Sequence, residues 1–321
     1  MRRRRVVALL CGVTLAWSSA GRAQQSPRMS RIGLLADGPL QEMGGLREGL
    51  LDLGYVEGVN VHIEHRWAHG RRNQYRALAV ELVELGVDVI VTWGTPATLG
   101  AQAVTTDIPI VTAAVGDPLG SGIVPNLARP GGNTTGFASL TSPLFEKRVE
   151  LLREIVPGAS RVSFLFRAVN LNTVISIKHA KTVAETLGVA VGPIEIEEDV
   201  EVGLSAIARE RPDAVLVSAD PYLRLNGARI IAFMAEHRLP AVYASADHVA
   251  GGGLISLGVN YHDLFRRAAG YVDRILKGAK PGDLPMQQAE RFQLAINLKT
   301  ASALGLTIPP TLLARADEVI E

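Results

Sequence analysis

Residues 87–98, VDVIVTWGTPAT, contain the unit from which the fold can be worked out. Val87 to Thr92 is a nearly continuous apolar run of strand length. Gly94 to Thr98 is typical of a helix start, because Pro96 suits the first helical position, where a backbone N–H has no partner in the helix. A buried strand that passes directly into a helix predicts part of a parallel sheet with helices on its faces.

The same alternation extends in both directions along the chain. Further buried strands are predicted at 32–36, 108–113, 161–166, 189–196, 214–218, 241–244 and 254–257. The segments between most of these strands carry apolar residues at helical spacing. A Gly- and Pro-rich stretch from 116 to 136 divides the series into two. We therefore predict an α/β protein with two doubly wound parallel-sheet lobes.

The last 60 residues do not fit a simple division into two halves. Periodicity predicts a helix at 261–277, a linker at 278–285, a strand at 292–296, and helices at 298–304 and 311–320. A strand and helix after a linker could return the chain to the other lobe. Periodicity alone does not decide which lobe each piece joins.

The first 23 residues have the layout of a secretory signal peptide. Arg2 to Arg5 form a basic block, Val6 to Trp17 is almost wholly apolar, and small residues lead to Ala23. The apolar run is shorter than the roughly 20 residues of a membrane-spanning helix. We predict cleavage near Ala23, with Ala20 as the alternative, and a periplasmic mature protein.

Composition excludes several classes of protein. The chain has 33 Lys and Arg against 32 Asp and Glu; removing the five arginines of residues 1–23 leaves 28 against 32, a net charge of −4. This charge gives no support to nucleic-acid binding, which depends on neutralising phosphates. The one cysteine, Cys11, lies within the predicted signal peptide, so a disulfide framework is excluded.

Ligands of open parallel sheets bind beyond the carboxyl ends of the strands, so the polar residues at those positions are the candidates. The Thr95 side chain could cap its helix while the Ala97 amide faces a carboxylate, although a plain capped helix start is the alternative. Arg167 could contact a second anionic group or be a solvated strand end. The full set is Asp37, Gly94, Thr95, Ala97, Asp117, Arg167, Asn170, Asp220, Tyr222 and Asp247.

Acidic residues of the two halves could face each other across a cleft. Asp117 and Asp220 each follow a strand and could hold an ammonium group or sugar hydroxyls, but Asp-Pro is also a common turn starter. Asp247 could equally cap the short helix after it. Tyr222 and Trp93 could supply an apolar or stacking wall, with core packing as the alternative for Trp93.

Signals of enzymatic chemistry are weak. His62, His65 and His69 lie in a strand and the turn after it and do not converge as zinc ligands. The sequence has no phosphate-binding loop, no dinucleotide fingerprint after its first strand and no nucleophile elbow around Ser245. We therefore predict no catalytic residues, no metal and no cofactor.

Several longer motifs resemble one family. The motifs are residues 115–118, 122–124 and 128–136, and then 252–256, 274–281, 283–285, 297–301 and 304–309. They are similar to the ABC-transporter substrate-binding proteins of the tryptophan type. The resemblance covers the chain from about Arg31 to its end. It implies the type I periplasmic-binding fold, with three crossovers between an N-terminal lobe of 24–137 plus 259–285 and a C-terminal lobe of 138–258 plus 286–321.

The resemblance also implies a function. Such proteins close on a small polar or amino-acid-like molecule between the lobes and deliver it to an inner-membrane permease driven by a separate ATPase; a monomer is expected. The alternatives are a ligand sensor for a membrane receptor and an exported α/β hydrolase. Relatives usually have Asn-Pro after the first strand of the second lobe, whereas this chain has Arg167 to Asn170, so the resemblance does not identify the ligand.

Overall fold

The computed structural model describes residues 29–321 except 40, 72, 140, 169 and 187. The predicted signal peptide lies outside the described residues. The first of two sheets contains β1 (Ser30–Ala36), β2 (Val61–Trp67), β3 (Val89–Trp93), β4 (Ile110–Val115), β5 (Thr134–Ala138) and β11 (Gln287–Gln288). These six strands are all parallel, in the order β11-β5-β4-β3-β1-β2. Helices α1 (Gly44–Asp52), α2 (Gln74–Glu84), α3 (Thr95–Gln102) and α10 (Tyr261–Leu276) cover this sheet, and Gln41–Met43 is a 3-10 turn.

The second sheet has seven strands. They are β6 (Arg161–Phe166), β7 (Ala190–Glu195), β8 (Ala214–Val217), β9 (Ala241–Tyr243), β10 (Ile255–Val259), β12 (Phe292–Asn297) and β13 (Glu318–Ile320), in the order β13-β12-β10-β9-β8-β6-β7. All neighbours are parallel except β10 and β12. The helices of this lobe are α4 (Thr141–Ile155), α5 (Leu171–Thr186), α6 (Val200–Glu210), α7 (Pro221–Leu225), α8 (Gly227–Glu236), α9 (Ala246–Ala250), α11 (Leu298–Leu304) and α12 (Pro310–Leu313). A 3-10 turn at Pro281–Asp283 precedes β11.

The apolar strands are buried on both faces, as predicted for sheets covered by helices. Every residue of β3 is buried, and the two faces of its sheet pack into separate cores. On one face, α10 contributes Leu264, Ala268 and Val272, which are at most 2% exposed. The Asn260 side chain accepts a hydrogen bond from the Asp263 N–H and fixes the start of α10. The predicted architecture of two doubly wound lobes is confirmed.

The chain passes between the sheets three times, after β5, between β10 and α10, and between β11 and β12. Helix α10 packs against α1 and β12 pairs with β10, as the resemblance implied. The third passage comes later than the predicted lobe boundary at residue 286, because Gln287 still pairs with Phe137 of the first sheet. A two-residue strand is held by backbone hydrogen bonds and leaves no hydropathy signal.

The predicted helix at 311–320 is wrong. Helix α12 ends at Leu313, and β13 then pairs with β12, with Val319 opposite Ile296. The Asp317 N–H donates to the Leu294 carbonyl, and the Asp317 carboxylate accepts from the Leu294 N–H, so this pair of bonds aligns the last strand with the sheet edge. Within the part of the chain that the structure describes, no helix is both long enough and apolar enough to cross a membrane.

Candidate functional site

A cavity lies between the lobes, at the carboxyl ends of both sheets. The first lobe lines it with Trp93, Gly94, Thr95, Gly116 and Tyr261, and the second lobe with Asn170, Asp220, Pro221 and Arg224. It contains about 310 Å³ of atom-free space, part of which is open to solvent. Four of the predicted site residues, Gly94, Thr95, Asn170 and Asp220, are therefore brought together here.

The start of α3 forms one wall of the cavity. Gly94 precedes the helix with φ of 89°, and an added Cβ would lie 2.9 Å from Pro221 Cγ of the other lobe, so both the backbone conformation and the close approach require glycine. Thr95 does not cap the helix as predicted, because Gly94 occupies the N-cap position. The Thr95 hydroxyl is buried and has no hydrogen-bond partner among the residues described.

Asp220 forms the opposing wall and is 1% exposed. Its carboxylate caps α7 by accepting from the Tyr222 N–H at 2.9 Å, and it also accepts from Asn170 Nδ2 at 3.1 Å. Burial raises the pKa of Asp220 to about 6, although the nearby Arg167 charge opposes this rise. Asp220 therefore caps a helix rather than starting an isolated turn, and it presents a buried carboxylate to the cavity. Its predicted contact with a ligand stays a prediction.

Arg167 is buried beside the cavity and bridges the two lobes. Nη2 donates to the Gly70 carbonyl of the first lobe at 2.5 Å, while Nε donates to the Glu197 carbonyl at 3.0 Å. Nη1 lies 3.9 Å from an Asp37 oxygen and 3.8 Å from an Asp220 oxygen. The solvated-arginine alternative is wrong, because the side chain is 1% exposed. Neither carboxylate oxygen is within hydrogen-bond distance, and Nη1 has no hydrogen-bond partner among the described residues. The predicted contact of Arg167 with an anionic ligand group stays a prediction.

Asp37 and Tyr222 support this bridge from either side. Asp37 accepts from the Gly70 N–H at 3.0 Å and from the Tyr75 hydroxyl at 2.6 Å. Burial and the Asp37 carboxylate raise the pKa of Tyr75, so its hydroxyl stays a donor. The Tyr222 ring lies 4.4 Å from the Arg167 guanidinium carbon. Neither Asp37 nor Tyr222 lines the cavity.

The remaining predicted residues have other surroundings. Asp117 accepts a hydrogen bond from the Gly120 N–H at 2.9 Å, so the prediction that it starts a turn applies. The acidic residue that faces Asp220 across Arg167 is Asp37. Asp247 lies in the first turn of α9 but does not cap it, since Ser245 is at the N-cap. Ala97 is fully buried in the first turn of α3. No group of three or more His, Cys, Asp and Glu side chains in the described ranges could hold a metal.

The lining residues that the sequence analysis does not predict include Arg224 and Tyr261. Arg224 Nη2 donates to Asp247 at 2.8 Å, and its guanidinium carbon lies 4.8 Å from the Tyr261 ring centroid. Trp93, predicted as a possible wall, lines the cavity 5.4 Å from the same carbon. The sequence carries a signal for Arg224, because it follows Asp220 by four residues, which is about one turn of helix. Tyr261 carried no such signal, since it lies in a crossover to the other lobe.

Two α/β lobes with three connections and a polar, aromatic-walled cavity between them define a two-lobed binding protein. The sequence pattern of one family, described as ABC transporter substrate binding protein, matches residues 34–320. The chain belongs to that family.

Individual relatives agree with this assignment. An ABC domain from Streptococcus pneumoniae, solved in complex with L-Trp, is 27% identical and has a TM-score of 0.84, covering 91% of this chain and 99% of that one. A conserved domain protein from Vibrio cholerae is 30% identical, with the same TM-score, and the match covers 91% and 100% of the two chains. The tyrosine-binding protein of Clostridioides difficile is 26% identical over 296 residues, which are 90% of this chain and 85% of the relative.

Family membership determines the class of activity. The protein is the solute-binding component of an ABC importer, it acts outside the cytoplasm, and it binds a small molecule rather than converting it. The prediction of a binding protein is confirmed, and the hydrolase alternative is set aside. A sensing role for the same binding event stays a prediction that neighbouring genes would test.

Proposed function

We propose that this protein captures a free α-amino acid with a large ring-bearing side chain. The observation that carries the proposal is the pairing, across one cavity, of the buried Asp220 carboxylate with the amino-terminal end of α3. An α-amino acid carries an ammonium group and a carboxylate on one carbon. A wall that favours cations opposite a wall that favours anions is complementary to that pair of charges.

The ammonium group is assigned to the second lobe. Asp220 is 1% exposed and supplies the negative charge. The Asn170 Oδ1 atom beside it is buried without a hydrogen-bond partner among the residues described, so it can accept a second N–H from the same ammonium. A charge-assisted hydrogen bond in such a desolvated site contributes roughly 1.5–3 kcal/mol.

The carboxylate is assigned to the first lobe. The first turn of α3 has backbone N–H groups without helical partners, and the helix dipole favours an anion at this end. The buried Thr95 hydroxyl, which has no partner in the described part of the chain, can donate to a carboxylate oxygen. Ala97 contributes through its amide rather than through its side chain.

The ring of the ligand is assigned to the aromatic side of the cavity. Trp93 and Tyr261 line this side, with their ring centroids 5.8 Å apart in an edge-to-face arrangement. Aromatic rings of a ligand pack favourably on such a wall. Relatives that bind L-Trp and tyrosine support this choice of ligand class.

Closure of the lobes completes the site. Arg167 of the second lobe bonds to Gly70 of the first, and Pro221 packs closely on Gly94. Because the two walls belong to different lobes, a ligand that contacts both stabilises the closed conformation over the open one. The closed monomer, freed of residues 1–23 in the periplasm, then delivers the amino acid to the permease and ATPase of its importer.

Isothermal titration of the purified protein with the twenty amino acids tests the proposal. We expect micromolar or tighter binding of at least one aromatic amino acid. Phenethylamine, without the carboxylate, and phenylpropionate, without the ammonium, should both bind at least tenfold more weakly than phenylalanine. Asp220→Asn should abolish binding, whereas Asp213→Asn, an acidic residue at the far end of β8, should leave it unchanged. Binding of sugars or purines in place of amino acids would contradict the proposal.

A further inference from the structure

Arg224 is the one basic side chain among the described residues that line the cavity. It follows Asp220 by one turn of α7, and its N–H donates to the Asp220 carbonyl at 3.1 Å. The two side chains have different partners. Asp220 faces Asn170 at the end of β6, and Arg224 faces Asp247 beyond β9, with 2.8 Å between Nη2 and Oδ2.

The Arg224 guanidinium lies against the aromatic wall. Its central carbon is 5.4 Å from the Trp93 ring centroid and 4.8 Å from that of Tyr261, while the side chain is 2% exposed. The arginine belongs to the second lobe and both rings belong to the first, so this arrangement exists only when the lobes are together. Stacking on the rings and the ion pair with Asp247 hold the guanidinium plane in a defined orientation.

A guanidinium group can donate hydrogen bonds but cannot accept them. It carries five N–H donors, no acceptor and a permanent positive charge. A ligand atom that meets it must therefore accept a hydrogen bond. A phenol oxygen accepts, a phenyl edge offers nothing, and the indole N–H only donates.

Resting on the proposed function, we infer that Arg224 is a specificity-determining residue that selects an amino acid whose side chain ends in a hydrogen-bond acceptor. The assignment separates the two ends of the ligand, with its ammonium at Asp220 and its distal acceptor at Arg224. The side chain of tyrosine ends in such an acceptor, whereas those of tryptophan and phenylalanine do not.

Titrations of the wild-type protein with L-Tyr, L-Phe and L-Trp give the first test. A charge-assisted hydrogen bond to the phenol should make L-Tyr bind roughly 10- to 100-fold more tightly than L-Phe. L-Trp should bind more weakly than L-Tyr. This comparison needs no variant, so it decides the inference even where a substitution disturbs folding.

Arg224→Met gives the second test, because it keeps the apolar stem and removes the donors. The ratio of L-Tyr to L-Phe affinity should fall to within about threefold, while L-Phe affinity stays nearly constant. Arg224→Lys keeps the charge but loses the planar fork, so its ratio should be intermediate. Arg229→Met is the matched control, since that arginine is 43% exposed on α8 and pairs with Glu201; its ratio should equal that of the wild type.

The inference would be overturned by any of the following outcomes. Equal losses for L-Tyr and L-Phe in Arg224→Met would mean that Arg224 holds the shared α-carboxylate. If the ratio of L-Tyr to L-Phe affinity is unchanged in Arg224→Met, or if L-Trp binds the wild type most tightly, Arg224 does not recognise a distal acceptor on the ligand. Failure of all three amino acids to bind the wild type would overturn the proposed function together with the inference, whereas binding without the expected ratios would overturn the inference alone.

Discussion

Asp220→Asn should make the protein more stable at neutral pH while it destroys ligand binding. The substitution keeps the shape of the side chain and an oxygen that caps α7. The new amide would place its NH₂ toward Asn170, whose Oδ1 has no partner within the described residues, so rotation of the Asn170 amide restores a hydrogen bond. What disappears is a negative charge that is 1% exposed.

The magnitude follows from the pKa of Asp220. Burial raises it from 3.8 to about 6, so the folded protein binds this proton more tightly than the unfolded chain does. Between those two pH values, stability falls as pH rises, because ionisation is easier in the unfolded state. Above pH 6 the accumulated cost is on the order of 3 kcal/mol, which the asparagine variant avoids. Below pH 3.8 the carboxyl group is protonated in both states, and the wild type and variant should have equal stability.

Urea denaturation of both proteins between pH 3.5 and 7.5 measures this difference. The gap in unfolding free energy should open between pH 4 and 6 and then stay constant. Asp213→Asn is a control of opposite sign, because hydrogen bonds from the Arg161 and Ser160 N–H groups lower the pKa of Asp213. That variant should be less stable than the wild type at pH 7, and the difference should disappear in acid, because protonation of Asp213 removes the stabilisation from the wild type. An Asp220→Asn protein that is less stable than the wild type at pH 7 would refute the reasoning.

Three further predictions concern binding, closure and the sheet. Ligand affinity, measured by titration calorimetry, should fall as pH drops through about 6, because protonated Asp220 no longer attracts an ammonium group; a flat profile from pH 7 to 5 would contradict this. Arg167→Met should weaken ligand binding roughly 10- to 100-fold and increase the radius of gyration in X-ray scattering, since it removes a buried contact between the lobes. Gly136→Ala should reduce the unfolding free energy by more than about 3 kcal/mol, because φ is 131° and a Cβ would overlap the Thr112 backbone; Gly158→Ala, with nothing within 4 Å, should be nearly neutral in the same urea titration.

The course of the strands follows from local patterns in the sequence. The unit from Val87 to Thr98 appears as β3 and α3, and the runs at 161–166 and 298–304 match their elements in the structure. Such segments are long enough for hydrophobic spacing to identify them. The helix predicted at 311–320 is wrong because Val319 and Ile320 form an edge strand only where Asp317 bonds to Leu294.

Part of the cavity could also be predicted. Gly94, Thr95, Asn170 and Asp220 were found because parallel strands end at one edge, and the residues after them must lie together. That rule predicts where these residues lie, but it does not predict which other residue or ligand each of them contacts. It therefore also selects Asp117, which accepts a hydrogen bond within a turn, and it does not show that Arg167 lies beside Asp37.

Local patterns in the sequence are enough to predict two parallel α/β lobes, the edges where a ligand can bind, and the resemblance to the family. Which charges meet depends on how the lobes pack together. Arg167 and Asp37 are 130 residues apart in the chain, and Arg224 meets Trp93 from the opposite lobe. Hydrophobic periodicity shows which face of a segment is buried. The pKa and the partner of a charged side chain depend instead on the residues that the two lobes place next to it and on the water that they exclude.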